Sequence, residues 1–151
     1  MRRLLYISIF LLILSSLALS SCTIERSENG KLDGFWHLEK IDTIETGGVR
    51  DMSNERVFWA VQSKLLKLQG GTGSYLFRFN QTGDSLTLYS PYNNGGHEEQ
   101  YGTGGDSPLT DPTNLASYGI EGLEVHYKKE KLSGTEMILS SGRVRLMFRK
   151  F

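Results

Sequence analysis

From Asp33 onward, short runs of alternating apolar and polar residues follow one another, and this pattern limits the possible folds more than any other feature. The clearest run places Tyr75, Phe77 and Phe79 on one face, with Leu76 and Arg78 on the other. A period of two residues is typical of a β-strand with one buried face. The sequence predicts strands over residues 35–41, 56–62, 63–69, 75–79, 85–89, 123–128, 136–140 and 143–151. In the run 63–69 either face could be the buried one.

These roughly eight strands are joined mostly by tight turns, which favours an antiparallel, all-β meander. A meander must protect its two edge strands, and closure into an up-and-down barrel removes both edges. We therefore predict an all-β, antiparallel barrel of about eight strands.

The segment 90–119 interrupts the alternation and contains all three prolines of the chain. Within it, Asp111, Pro112 and Gly119 are spaced as the N-cap, the first residue and the C-terminal stop of a short helix. Long loops in compact domains are often binding loops. The segment is therefore expected to serve binding and to contribute little to the core. Three tyrosines in it are candidate ligand contacts: Tyr92, Tyr101 and Tyr118.

The N-terminus has the pattern of a secretory signal. Arg2 and Arg3 precede an apolar run over residues 4–19, which is shorter than the roughly 20 residues that a membrane-spanning helix needs. The ending Leu-Ser-Ser-Cys over 19–22 resembles the bacterial lipobox, whose cysteine receives lipid. This resemblance implies a signal peptide over 1–21, a lipidated Cys22 with a polar tether over 22–32, and a domain over 33–151.

Charge and cysteine content limit the partners and the cross-links. The chain has 17 basic and 17 acidic residues, and removal of Arg2 and Arg3 with the signal leaves a net charge near −2. Nucleic-acid binding usually needs a concentrated basic face, so we expect no such partner. Cys22 is the only cysteine, so the chain cannot form an internal disulfide.

Two stretches of the predicted barrel resemble the lipocalin-like (calycin) lipoproteins of Bacteroidetes. Gly34-Phe35-Trp36 matches the Gly-x-Trp at the start of the first lipocalin strand, and Leu132-Ser133 through Leu139 with Leu146 through Lys150 resembles the C-terminal pattern. The resemblance implies that Trp36 closes one barrel end and that an arginine of the last strand, Arg149 or Arg145, packs across it.

The expected function depends on whether the barrel encloses a ligand cavity or is filled by side chains. Barrels of this size hold one small ligand or are filled by side chains. The predicted inward aromatic residues could do either; the ligand-binding candidates among them are Trp59, Tyr75, Phe77, Phe79 and Tyr127. The first hypothesis is a small, mainly apolar ligand. The alternative is an envelope protein or glycan bound through loop 90–119, with a filled barrel.

The sequence indicates neither an enzyme nor a metal or cofactor site. It lacks a Gly-x-Ser-x-Gly pattern, and its only cysteine is expected to carry lipid. His37, His97 and His126 are not spaced as zinc ligands. Asp42-Thr43-Ile44 and Asp84-Ser85-Leu86 resemble a Bacteroidetes O-glycosylation pattern, which makes Thr43 and Ser85 candidate sites.

The expected location is the bacterial cell envelope, where the lipid would hold the protein on the outer membrane. No acidic run follows Cys22, and on this basis we expect the domain to face the periplasm. The sequence leaves the oligomeric state open.

Replacing Cys22 with serine tests the anchor, because the acyl chains need the cysteine thiol. The Cys22→Ser protein should remain an unprocessed precursor that incorporates no labelled fatty acid. Equal incorporation of label by the variant and the parent chain would contradict lipidation at this residue.

Overall fold

The computed structural model describes residues 27–95 and 105–151 of the chain. In these ranges ten strands form one antiparallel sheet, and short 3-10 helices cover Gly30–Leu32 and Thr113–Tyr118. The strands are β1 (Gly34–Thr43), β2 (Gly48–Asp51), β3 (Phe58–Gln62), β4 (Leu65–Gln69), β5 (Tyr75–Gln81), β6 (Ser85–Asn93), β7 (Ser107–Pro108), β8 (Val125–Leu132), β9 (Glu136–Ser140) and β10 (Val144–Lys150).

The sheet closes on itself, because β10 pairs with β1. Eight strands form the ring, in the order β1, β3, β4, β5, β6, β8, β9 and β10. β2 pairs with the second half of β1 while β3 pairs with its first half, and β7 pairs with the end of β6. The predicted closed antiparallel barrel of eight strands is confirmed.

The alternation in the sequence translates into an apolar barrel interior. Tyr75, Phe77 and Phe79 of β5 are buried, while Arg78 between them is exposed. In β4, where the sequence left the inward face open, Leu66 and Leu68 are fully buried and Leu65 is exposed.

β-bulges change the alternation at positions that the sequence does not reveal. In β1 the register shifts between Leu38 and Lys40, so that both Leu38 and Ile41 face the core. Such a bulge adds one residue to a strand and bends it. β8 has a similar shift between Lys129 and Lys131.

One end of the barrel, called the closed end below, is covered by the chain just before β1. The Asn29 amide donates to the Ser63 carbonyl at 2.6 Å and to Asp33 Oδ1 at 2.7 Å, and Leu32 is fully buried. Residues 27–32 were expected to belong to the tether. The structure instead packs them against the barrel, because Leu32 completes the core and Asn29 ties the turn to the β3–β4 connection.

The opposite end is filled by residues Thr113–Ile120, called the plug below. Its side chains Leu115, Tyr118 and Ile120 are fully buried. The expectation that segment 90–119 contributes little to the core is therefore wrong for this part. The helix is a 3-10 helix that begins at Thr113; Asp111 accepts hydrogen bonds from Thr113, and Gly119 ends the helix with φ +76°.

The plug should be required for stability, because it supplies buried side chains. Replacing Tyr118 with alanine should lower the free energy of unfolding by about 3–5 kcal/mol, the usual range for a buried aromatic ring. Asn114→Ala is the matched control: Asn114 is exposed in the same helix, and surface substitutions usually change stability by less than about 0.5 kcal/mol. Equal urea midpoints for the two variants would contradict the structural role of the plug.

Candidate functional site

Trp36 lies fully buried at the closed end, held by two contacts. Its indole Nε1 donates to the Leu32 carbonyl at 2.8 Å, and the Lys150 Nζ lies 4.8 Å from the ring centroid. A cation at this distance from an aromatic face is attracted by the ring quadrupole. Gly34 has φ +131°, and a Cβ there would lie 2.4 Å from Lys150 Cε. The glycine therefore leaves space for the lysine to cross the tryptophan.

The cation over Trp36 is Lys150, not Arg149 as predicted. In the β1–β10 ladder Trp36 lies opposite Lys150, and His37 lies opposite Arg149. Arg149 therefore points outward, where its Nε donates to Glu39 Oε1 at 2.9 Å. Arg145 also points away from Trp36 and pairs with Glu130 at 2.7 Å. The inward alternation of β10 extends to residue 150, and this signal could have identified the lysine.

The five inward aromatic candidates form a packed core. Their exposed fractions are at most 9%. The Trp59 ring centroid lies 4.8 Å from that of Phe148 and 6.0 Å from that of Tyr127. Tyr75 lies edge-on to Tyr118 at 5.8 Å. The sequence could not decide whether these rings line a cavity or fill the barrel; in the structure, Trp59, Tyr75, Phe77, Phe79 and Tyr127 fill it.

Polar groups inside the barrel are bonded to the plug. The Trp59 indole donates to the Tyr118 carbonyl at 3.3 Å, and the Tyr127 hydroxyl donates to the Gly119 carbonyl at 3.2 Å. The Tyr118 hydroxyl donates to the Gly73 carbonyl. Burial raises the pKa of both Tyr118 and Tyr127, so both stay neutral at physiological pH. Tyr118 is thus a structural residue rather than an accessible ligand contact.

The other candidates in segment 90–119 have different surroundings. Tyr92 is half-buried in β6, opposite Leu76 on one side and Pro108 on the other. Tyr101 and His97 lie outside the described residues, as do the predicted signal peptide and Cys22. Thr43 and Ser85, the candidate glycosylation sites, are half-buried at the end of β1 and the start of β6.

A groove of about 420 Å³ runs along the rim at the plug end. A Cβ on Gly70, which has φ +92°, would lie 1.5 Å from the Arg56 carbonyl oxygen, and one on Gly71 would lie 2.8 Å from Ser117 Oγ. Glycines at both positions therefore let the β4–β5 turn pack closely against the Arg56 backbone and the Ser117 side chain. The groove is lined by Arg50, Glu55, Arg56, Val57, Gly70, Gly71, Thr72 and Ser117.

The groove combines positive charge with hydroxyl groups. Arg50 pairs with Glu55 at 3.1 Å, whereas Arg56 forms no ion pair with any residue of 27–95 or 105–151. Thr72 Oγ1 donates to the Asn114 carbonyl at 2.9 Å and lies 3.3 Å from Ser117 Oγ. A guanidinium beside hydroxyls suits a ligand that carries a carboxylate and hydroxyl groups. Sequence analysis missed these residues; the adjacent glycines Gly70 and Gly71 were the available signal.

The histidines inside the described residues are bonded to protein atoms. His37 is buried between Glu39 Oε1 at 2.8 Å and the Glu55 carbonyl at 2.6 Å. His126 is exposed and lies 3.0 Å from Thr87 Oγ1. Over residues 27–95 and 105–151, no cluster of three or more His, Cys, Asp or Glu side chains has the arrangement of a metal site. None of the helices in those ranges is long and apolar enough to span a membrane.

Comparison with known proteins agrees with the barrel and the Gly-x-Trp start. The model of the lipocalin-like domain family matches residues 17–151, which is most of the chain. The chain belongs to the lipocalin-like domain family. The predicted resemblance to lipocalin-like proteins is thereby confirmed. No curated protein matches the chain.

Two solved structures resemble this lipocalin-like domain. A lipocalin-like protein from Bacteroides uniformis has 18% identity and a TM-score of 0.56, covering 81% of this chain and all of its own. An uncharacterized protein from Bacteroides eggerthii has 18% identity and a TM-score of 0.55, covering 79% of this chain and 98% of its own. At this identity the likeness establishes the fold, and the fold is one that suggests small-ligand binding in general.

The closed end offers a test of which side chains hold the lipocalin-like barrel together. Trp36→Ala should lower the free energy of unfolding by about 3–5 kcal/mol, because it removes a fully buried ring. Arg149→Ala should cost no more than about 1 kcal/mol, since exposed ion pairs contribute little. Urea unfolding of the two variants measures both losses. A loss below about 1 kcal/mol for Trp36→Ala would mean that the ring is exposed.

Proposed function

We propose that the protein is a lipid-anchored binding protein of the bacterial cell envelope that holds a small ligand in the groove at the plug end. The preferred ligand class is an acidic glycan fragment or a similar polyhydroxylated carboxylate. This corresponds to the alternative in which the barrel is filled and binding uses segment 90–119, here through Ser117 rather than through Tyr118.

The filled interior carries this proposal. Trp59, Phe77, Tyr118 and Tyr127 leave at most 1% of their surfaces exposed. A ligand that entered the barrel would have to displace the plug, and exposing a side chain such as Leu115 or Tyr118 costs about 1.5–3 kcal/mol each. A groove on the rim needs no such rearrangement.

Charge and shape of the groove indicate the ligand class. Hydrogen bonds to charged groups contribute about 1.5–3 kcal/mol, more than those between neutral partners. Arg56 would bind a carboxylate. Thr72 and Ser117 would accept hydrogen bonds from ligand hydroxyls, because their own hydroxyls donate to the Asn114 carbonyl. Glu55 neutralises Arg50, so one net positive charge remains for the ligand.

The anchor and the location are part of the same proposal. They are supported by the Leu-Ser-Ser-Cys pattern over 19–22 and by a signal-like segment ahead of it. Acylation of Cys22 would hold the domain at the outer membrane, because two acyl chains already give stable anchoring. The periplasmic face is preferred because no acidic run follows Cys22. Binding without catalysis is the expected activity, as is typical for this family.

A small, mainly apolar ligand inside the barrel is the second candidate. It is favoured by the mainly apolar interior, which is rich in aromatic side chains, and by the general tendency of the fold to bind small molecules. It requires an open state in which Tyr118 leaves the barrel and its hydrogen bond to Gly73 breaks.

Calorimetric titration with galacturonic acid oligosaccharides tests the groove. The matched neutral probes are galactose oligosaccharides of the same length. We expect the acidic probes to bind more tightly than the neutral probes. Arg56→Ala should lower the affinity for the acidic probes about tenfold, which corresponds to about 1.4 kcal/mol of binding free energy. Arg78→Ala, an exposed arginine on β5, is the control and should leave affinity unchanged.

Each other outcome has a clear meaning. Equal affinity for acidic and neutral probes would contradict binding of an acidic ligand in the groove. An equal loss of affinity in Arg56→Ala and Arg78→Ala would contradict it as well. Binding of a fatty-acid probe that is accompanied by exposure of Tyr118 would support the interior site instead.

A further inference from the structure

An aromatic patch lies on the outer wall, away from the filled interior. Phe35 and Phe151 lie at the closed end, and Phe58 lies next to Val57 at the edge of the groove. Phe35 and Phe58 stack with centroids 4.6 Å apart, and Phe151 lies edge-on to them at 6.2 Å and 5.8 Å. The Phe151 amide donates to the Phe35 carbonyl at 2.8 Å, yet the side chain is 79% exposed. We call Phe35, Phe58 and Phe151 the aromatic patch.

From the position of this patch we propose that it rests on the membrane surface and sets the orientation of the domain. The patch would contact the bilayer that receives the lipid of Cys22, so that the closed end faces the lipid and the plug faces away. This inference rests on the proposed lipid anchor, and the membrane interface is the partner that it commits to.

The length of chain between Cys22 and the described domain supports this partner. Five residue steps separate Cys22 from Ser27, and an extended chain spans at most about 3.6 Å per residue, or about 18 Å in total. Ser27 and Phe35 line the same surface pocket of about 490 Å³. An acylated Cys22 therefore keeps the aromatic patch close to the lipid headgroups.

The other side chains at the closed end suit the same surface. Leu65, 43% exposed, begins β4 next to the β3–β4 turn. Lys31 and Lys64 are exposed beside it and would face anionic headgroups. Carboxylates lie nearby as well: Glu28 is exposed, and Asp33 accepts hydrogen bonds from Ser27 and Asn29. Glu39 pairs with Arg149 and with His37, whose ring packs against Phe58. Exposed apolar patches with a polar rim often mark membrane contacts.

Topology places the plug at the far end. β1 begins at the closed end, and β3 pairs with its first half, so Gln62 and Ser63 lie at that end. β4 then leads to the Gly70–Ser74 connection, which contacts the plug through Gly73. A domain whose closed end rests on the membrane would therefore present the plug, with Ser117 of the groove, to the aqueous compartment.

Depth-dependent quenching on the lipidated full chain tests this orientation. Cys22 is the only cysteine, and its thiol would be occupied by lipid. Ser63→Cys and Ala116→Cys therefore each provide a single thiol for a fluorophore, at the closed end and on the plug. The vesicles contain phosphatidylethanolamine, phosphatidylglycerol and a lipid with a nitroxide near its headgroup. We expect several-fold more quenching at residue 63 than at residue 116.

A matched pair of variants links the orientation to the patch. Phe151→Ala should remove most of the difference in quenching between the two labels. Val49→Ala should leave it unchanged, because Val49 is a 64% exposed apolar side chain in β2, outside the patch. Phe151 is so exposed that its replacement should not unfold the domain.

Vesicle flotation separates this inference from the anchor on which it rests. Flotation with equal quenching of the two labels, or with stronger quenching at residue 116, overturns the orientation and leaves the anchor intact. Failure of the parent chain to float contradicts the anchor and the orientation with it. Self-association of the detergent-solubilised parent chain that Phe151→Ala abolishes would assign the patch to a second copy and overturn the proposal.

Discussion

The hydrogen bond from the Trp59 indole to the Tyr118 carbonyl joins the barrel wall to the plug. Around it, the Tyr127 and Tyr118 hydroxyls donate to the Gly119 and Gly73 carbonyls, so the polar atoms of these three buried side chains have protein partners. An unpaired buried donor or acceptor costs about 1–3 kcal/mol. Moving the plug out of the barrel would break all of these hydrogen bonds together. The plug is therefore expected to stay in place, and the barrel interior stays filled.

Filling the interior moves binding to the surfaces of the barrel. The closed end offers aromatic side chains near the start of the domain, and the plug end offers a groove with arginines and hydroxyls. These two surfaces need opposite surroundings, lipid for one and water for the other. The plug, which supplies Ser117 to the groove, lies at the end opposite the closed end, so a membrane contact at the closed end leaves that side of the groove open to water.

The sequence predicted the parts of the fold that depend on local periodicity. The inward row Tyr75, Phe77 and Phe79 was assigned correctly, and closure followed from the need to protect strand edges. The β1 bulge was not predictable, because an extra residue at Leu38–Lys40 leaves no local signature. The plug was misjudged because Leu115 and Tyr118 lie among prolines, glycines and polar residues, and only their contacts with Trp59 and Gly73 reveal their role. The groove depends on such long-range contacts as well.

Hydrogen exchange of the Trp59 indole N–H, followed by NMR, tests the filled barrel most directly. If the plug opens only when the whole domain unfolds, this proton exchanges with a free energy equal to that of global unfolding, and its rate increases with denaturant as global unfolding does. Exchange at a clearly lower free energy, independent of denaturant, would show local opening of the plug. The interior would then be accessible to a ligand, which contradicts the account of a permanently filled barrel.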